Sequence, residues 1–148
     1  MPVWTCTIYG QPIGKGRPRF NPRTGCARTP EKTRSWEASA AWELRLAWSV
    51  ARAPLTCPAE LHITALFQRP KRLLHRPLGT LAKSKPMIRE MHCATPDTDN
   101  VVKAASDAIE KAGIVRNDSQ IWRVSAEKWY AGPDEEARVL VRLEWCAR

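Results

Sequence analysis

Apolar and polar residues alternate from Val3 to Tyr9, with Trp4, Cys6 and Ile8 on one side and Thr5 and Thr7 on the other. That period of two predicts a half-buried strand. Closely spaced glycines and prolines then predict a loop over Gly10 to Thr29. Thr29 before Pro30 reads as a cap followed by proline at the first helical position, and the helix is expected to run to about Ala51. Its inward stripe is Trp36, Ala40, Leu44, Ala47 and Ala51, and Pro54 and Pro58 close it. Leu61, Ile63, Ala65 and Phe67 alternate again, predicting a second strand with His62 and Thr64 on its other face. Between Gln68 and Pro96 the periodicity is lost in a long basic connection broken by prolines. Helical spacing returns at Val101, Ala105, Ala108 or Ile109, and Ala112, with Gly113 placed for a left-handed cap. A third strand is expected over Ser119 to Tyr130, with Trp122, Val124, Ala126 and Tyr130 inward. Val139, Val141, Leu143 and Trp145 make the last strand, and the short Gly132, Pro133 link predicts an antiparallel hairpin between the two. The expected fold is one α+β domain, a mostly antiparallel sheet packed on two principal helices, over residues 1–148.

Charge narrows the partners. Lysine and arginine outnumber aspartate and glutamate by 24 to 15, a formal charge of +9 that favours a polyanion. No apolar run approaches the roughly 20 residues of a bilayer span, and the first residues lack the pattern of a signal peptide. A cytoplasmic protein without a membrane partner is expected. The five cysteines are scattered, and the three histidines are isolated, which argues against a disulfide framework and a zinc site.

The informative acids lie in PDTDNVVKAASDAIEKAGIVRNDSQIW, residues 96–122. Asp97 and Asp99 stand at the mouth of the second predicted helix, and Asp118 follows the loop beyond its far end. Singly, each fits a structural part, since aspartate before a helix is a favoured cap worth about 1 kcal/mol. Together, two carboxylates near 4 Å repel by about 4 kcal/mol at an effective dielectric of about 20, a cost that a divalent cation removes. Oxygen ligands with no histidine or thiolate pair beside them suit Mg²⁺, or alternatively Mn²⁺, better than zinc. Spacing leaves open whether Asp118 reaches the others, because the intervening helix runs away for about 15 Å. Asp99, Lys103 and Asp107 share one helical face. This reads equally as an exposed ladder of ion pairs or as a lysine one turn from a metal, facing a scissile phosphate, with Asp107 supporting it.

The run PDTDNVVKAASDAIEKAGIVRNDSQI resembles the PDxDNxxKxxxDAL pattern and following DDSQ-type element of the RusA family of Holliday junction resolvases, found in bacteria and their prophages. IYGQPIGKGRPRF is similar to the opening strand and GKGRPRF loop of that family, in the same order. The resemblance implies a homodimeric, Mg²⁺-dependent endonuclease that resolves four-way DNA junctions in recombination and repair, working in a bacterial or phage-infected cell. It implies that Asp97, Asp99 and Asp118 bind metal and act in catalysis with Lys103, and that Asn100, Asp107 and Asn117 support them. Asn117 departs from the aspartate that many relatives carry there.

Two basic runs flank the acids. Residues 15–34 hold Lys15, Arg17, Arg19, Arg23, Arg28, Lys32 and Arg34 against Glu31 alone; residues 69–89 hold seven lysines and arginines and no acid. Lys15, Arg17, Arg19, Lys71, Arg72, Lys83 and Lys85 are the expected DNA contacts, neutralising phosphates around the metal. Gly14 and Gly16 offer a close backbone approach to phosphate, but glycine follows Lys15 where a P-loop needs serine or threonine, so no nucleotide cofactor is expected. Trp4, Trp36, Trp122 and Trp145 fall on predicted core faces, while Trp42, Trp48 and Trp129 are candidates for a dimer surface. The rival readings are a non-catalytic protein binding branched or single-stranded DNA, and a metal-dependent nuclease preferring another structure such as flaps.

Overall fold

The computed structural model describes residues 1–49, 53–71, 90–132 and 134–146. The elements, in order, are β1 (Val3–Tyr9), β2 (Arg19–Asn21), β3 (Cys26–Arg28), α1 (Glu31–Trp48), β4 (Ala59–Phe67), α2 (Thr98–Lys111), a 3₁₀ turn (Asp118–Gln120), β5 (Ile121–Tyr130) and β6 (Arg138–Trp145). The α+β class holds. β1, β6, β4 and β5 form a four-stranded sheet in that order, antiparallel except between β4 and β5. Both helices contribute to one core with the inward residues of the sheet: Ala40 and Leu44 from α1, Val101, Ala105, Ala108 and Ile109 from α2, then Leu61, Ile63, Val139, Val141 and Leu143. β4 and β6 bury alternate residues along most of their length, so their period-two pattern decides which face meets the helices.

The expected β5–β6 hairpin does not form. The chain leaves β4, runs through α2 and returns in β5 alongside β4, so this β-α-β passage makes the two parallel. Ala131 N–H donates to the Phe67 carbonyl at 2.8 Å, where the link steps over the end of β4. β6 then enters on the far side of β4, between it and β1. Burial explains the choice: Val139, Val141, Leu143 and Trp145 are all buried and suit an interior strand, whereas β5 exposes Arg123, Ser125 and Glu127 and suits an edge.

Other departures are local. The segment expected as pure loop carries the small β2–β3 hairpin, with Arg19 opposite Arg28. α1 starts at Glu31 with Pro30 in the cap position and no side-chain cap, so Thr29 plays no capping part, and it ends at Ser49 with φ 74°. Its buried stripe is Thr33, Glu37, Ala40, Leu44 and Trp48; Ala47 is exposed, and Ala51 lies outside the described residues. The helix is rotated to place Trp48 in an edge-to-face cluster with Trp4 and Trp145, at 5.3 and 5.7 Å between centroids. Trp48 is therefore core. Trp122, expected inward, is 66% exposed, because the register slips at its position between Ala59 and Glu60 and throws it off the packed face. Gly113 caps α2 with φ 73°, as its position predicts.

Candidate metal and nucleic-acid site

Asp97 occupies the cap position of α2, yet its side chain makes no capping hydrogen bond. Asp99 follows in the first turn, and both residues are exposed. Neither carboxylate has a hydrogen-bond or ion-pair partner among the described residues, so the ordinary structural use of an aspartate before a helix is not made here. The positive end of the helix offsets part of their mutual repulsion. Lys103, one turn on, is exposed and likewise unpaired among the described residues, so the ladder of ion pairs from Asp99 to Asp107 does not form. Asp107 turns instead to Lys15, at 2.5 Å.

The GKG loop lies directly against this first turn. Lys15 N–H donates to the Asn100 carbonyl at 2.8 Å. A Cβ on Gly14 would stand 2.6 Å from Cβ of Pro96 and 3.1 Å from that of Asn100, and one on Gly16 would stand 2.8 Å from Cγ of Pro30. The two glycines thus admit neighbouring protein, where a phosphate was expected, and they clamp the loop between the starts of α1 and α2. Lys15 is the pin of that clamp. Its amine meets Glu37 of α1 at 2.5 Å as well as Asp107 of α2, and Lys111 also reaches Glu37, which has no accessible surface. Burial opposes the charge on Lys15, but hydrogen bonds to Asp107 and Glu37 outweigh it and hold its pKa above the ordinary lysine value.

From the other side the same turn is held by β5. Lys128 donates to the carbonyls of Ala94 and Pro96 at 2.9 and 2.6 Å, fixing the segment that leads into Asp97. Next to it His92 stacks on Phe67, 3.8 Å between centroids, and meets Tyr130 edge-on. Burial, and secondarily the charge of Lys128, push the His92 pKa below its usual value, so the ring is neutral at neutral pH.

Asp118 stands elsewhere. The 14 residues of α2 separate it from the other two aspartates, about 20 Å at the usual helical rise. β5, which starts just past Asp118 and reaches Pro96 only at Lys128, gives a similar span. Among the described residues no three His, Cys, Asp or Glu side chains are gathered to hold a metal ion. Asn117 accepts the Ser119 N–H at 2.9 Å while Gln120 accepts from the N–H groups of Arg116 and Asn117, a reciprocal cap that holds Asp118 outward. The amide of Gln120 also donates to the Leu55 carbonyl. Asn117 therefore has a structural task that an aspartate could equally perform.

Among the expected DNA contacts, Arg17 and Arg19 are exposed at the base of the β2–β3 hairpin and Lys71 is exposed at the end of its segment, whereas Lys15 is turned inward. Arg72, Lys83 and Lys85 lie outside the described residues. Every residue of β2 and β3 is exposed, and Phe20 is 66% so. A concavity of about 570 Å³ lies on the opposite, polar face of the sheet around His62, Thr64 and Ser125, away from the aspartates. Lys128, His92, Glu37 and Gln120 escaped the reading of the sequence. Two had a signal: Lys128 breaks an otherwise apolar inward alternation in β5, and Glu37 sits three residues before Ala40 on the buried stripe.

The chain is 29% identical over 137 residues to an uncharacterized protein, YqaN, of Bacillus subtilis (strain 168), covering 93% of this chain and 92% of that one. It matches the family described as Endodeoxyribonuclease RusA over residues 9–144, a span that takes in the clamped loop, Asp97, Asp99 and Asp118, β4, β5 and all but the last residue of β6, and includes only Tyr9 of β1. The chain belongs to the RusA endodeoxyribonuclease family.

Proposed function

We propose that this chain is a Mg²⁺-dependent endonuclease that resolves four-way DNA junctions as a homodimer, by paired phosphodiester hydrolysis in recombination and repair. The observation that carries the reading is a pair of carboxylates, Asp97 and Asp99, left without a partner among the described residues at a helix start, in a strongly basic chain of this family. All-oxygen donors on a fixed turn fit a hard divalent cation. When bound there, such a cation lowers the pKa of a water molecule and neutralises charge on a phosphate. Asp97 and Asp99 hold the position, and Lys103, unpaired among the described residues, offers a positive charge one turn away to the phosphate as its charge rises. Arg17, Arg19 and the hairpin beyond them hold the backbone.

One chain supplies only part of this site, because Asp118 lies at the other end of α2. The proposed centre requires that the Asp118 of each chain meet the Asp97 and Asp99 of the other across a two-fold axis, giving two centres for the two opposed strands of a junction. A dimer is thus a requirement of the proposed chemistry.

The test is cleavage of a four-way junction, a flap, a nicked duplex and a linear duplex in Mg²⁺, by wild type and by Asp97→Asn. Junction cleavage well above the other three, abolished in Asp97→Asn with binding retained, is expected. Equal rates on all four remove the junction assignment, and binding without cleavage by wild type favours the non-catalytic reading.

A further inference from the structure

β5 ends the sheet on one side, and among the described residues its outer edge has no strand beside it from Ile121 to Glu127. Four residues in a row there, Trp122 to Ser125, are exposed, and they include Trp122 at 66% and Val124 at 43%. A bare edge that also shows apolar side chains is a template for another strand, and native sheets ordinarily blunt it. Beyond Glu127 the edge is taken. Glu90 to His92 lie along it: the His92 N–H donates to the Lys128 carbonyl at 3.0 Å, the Tyr130 N–H donates to the Glu90 carbonyl at 2.9 Å, and Met91 bridges Trp129. The Lys128 amine then holds the carbonyls of Ala94 and Pro96, so the chain passes from this end of the edge into Asp97. Asp118 stands at the other end, in the 3₁₀ turn just before β5.

The parts of the proposed metal centre thus mark the two ends of one free edge, and an antiparallel copy of that edge exchanges them. We propose that β5 pairs with β5 of a second copy of this chain about a two-fold axis normal to the sheet, and that this pairing carries Asp118 of each chain to Asp97 and Asp99 of the other. The use of the shared site rests on the nuclease reading; the edge contact does not. The axis passes through Arg123. Directly opposed residues of antiparallel strands share a face, so Trp122 then meets the partner's Val124, and Ile121 meets the partner's Ser125. The partner's Ser119 comes level with Glu127, one residue short of the strip that Glu90 to His92 occupy, and the partner's Asp118 turns off beside the segment that leads into Asp97. An axis at Val124 instead runs the partner's whole 3₁₀ turn over that strip, and one at Trp122 leaves the partner's Asp118 short, beside Ala126. Pairing covers Trp122 and Val124 of both chains and gives partners to the main-chain groups of the edge. Arg123 meets its own copy at the axis, where its ion pair with Glu60, at 3.2 Å, offsets the like charges. The contact is self-complementary and closed, as a two-fold interface must be.

Sedimentation and junction cleavage in Mg²⁺ test this together. Wild type should sediment as two chains. Trp122→Glu, at an exposed site, and Val124→Pro, which an edge strand accommodates where the N–H faces outward, should each sediment as one. Thermal melting shows that both are folded, and both should lose junction cleavage. Under mild oxidation Arg123→Cys should link to its own copy through the substituted position, mapped by mass spectrometry, and keep its cleavage once linked. Arg142→Cys, on β6 with the same native cysteines, should not link. A wild type that sediments as one chain, variants that both stay dimeric, or no link through Arg123→Cys overturns the edge pairing, and cleavage by that wild type leaves the nuclease standing. Monomeric variants that cut as wild type does overturn the sharing of aspartates. Edge pairing upheld by the variants and the link, with no cleavage of any DNA by wild type, overturns the nuclease reading and leaves the interface in place.

Discussion

Glu37 is the one fully buried acid among the described residues, and its stability depends on Lys15 and Lys111 together. Removing one member of a buried charged network leaves the others without compensation, so Glu37→Gln should cost about 3 kcal/mol, read by urea denaturation. Because the Lys15 pKa is raised in the fold, its share is present at neutral pH and fades only as pH climbs above the ordinary lysine range. His92 acts in the opposite direction. Its folded pKa lies below 6.5, so the unfolded chain takes up the proton first as pH falls, and stability declines from about 6.5 downward. Denaturation at pH 7.5 and 5.5 should show wild type losing more stability than His92→Phe; equal losses would acquit this ring. At this scale the sequence announced Asp97, Asp99 and Asp118 as carboxylates without saying what held them. A lysine or a glutamate that faces inward looks like any surface charge until its partners, 22 or 92 residues away, are in place.

The β2–β3 hairpin stands free of the core, with Arg19 directly across from Arg28. Like charges in opposed positions destabilise a ladder, which is tolerable where a phosphate relieves them. Each phosphate contact accounts for a salt slope of about 0.9, so Arg19→Ala and Arg28→Ala should each flatten the dependence of junction affinity on salt by about one, with melting temperature unchanged. An unaltered slope excludes the arm from the DNA surface. β1, β4, β6 and α2 were legible because each buries one whole face, and periodicity reports that directly. The arm was not, since three-residue strands are too short to show a period and the glycines and prolines around them signal only turns. α1 was misjudged in rotation because its alanines are interchangeable by pattern, and the position of Trp48 over Trp4 and Trp145 decides between them.

Two ends of one helix carry the parts of the proposed centre, and this sets the test for the molecule as a whole. Asp97→Asn and Asp118→Asn should each be inactive alone. Mixed and allowed to exchange subunits, they should regain cleavage of one strand, because one centre in the mixed pair draws an intact Asp97 and an intact Asp118 from different chains. No recovery, with exchange verified by mass, would place both aspartates in service of the same chain. The spacing in the sequence could not choose, since it sets the length of α2 but not the relation of a second copy. The same limit hid the order of the strands: a short link favours neighbours, and only the interior character of β6 sends it past β4.

That placement bears on how the protein comes into being. β6, which follows the other strands of the sheet in the chain, is the one that joins β1 to β4, so a chain interrupted before Arg138 leaves β1 without a neighbour in the sheet. Synthesis must pass Trp145 before the four strands can close into one sheet, so the helix that carries Asp97 and Asp99 has no completed surface to pack on until β6 is in place.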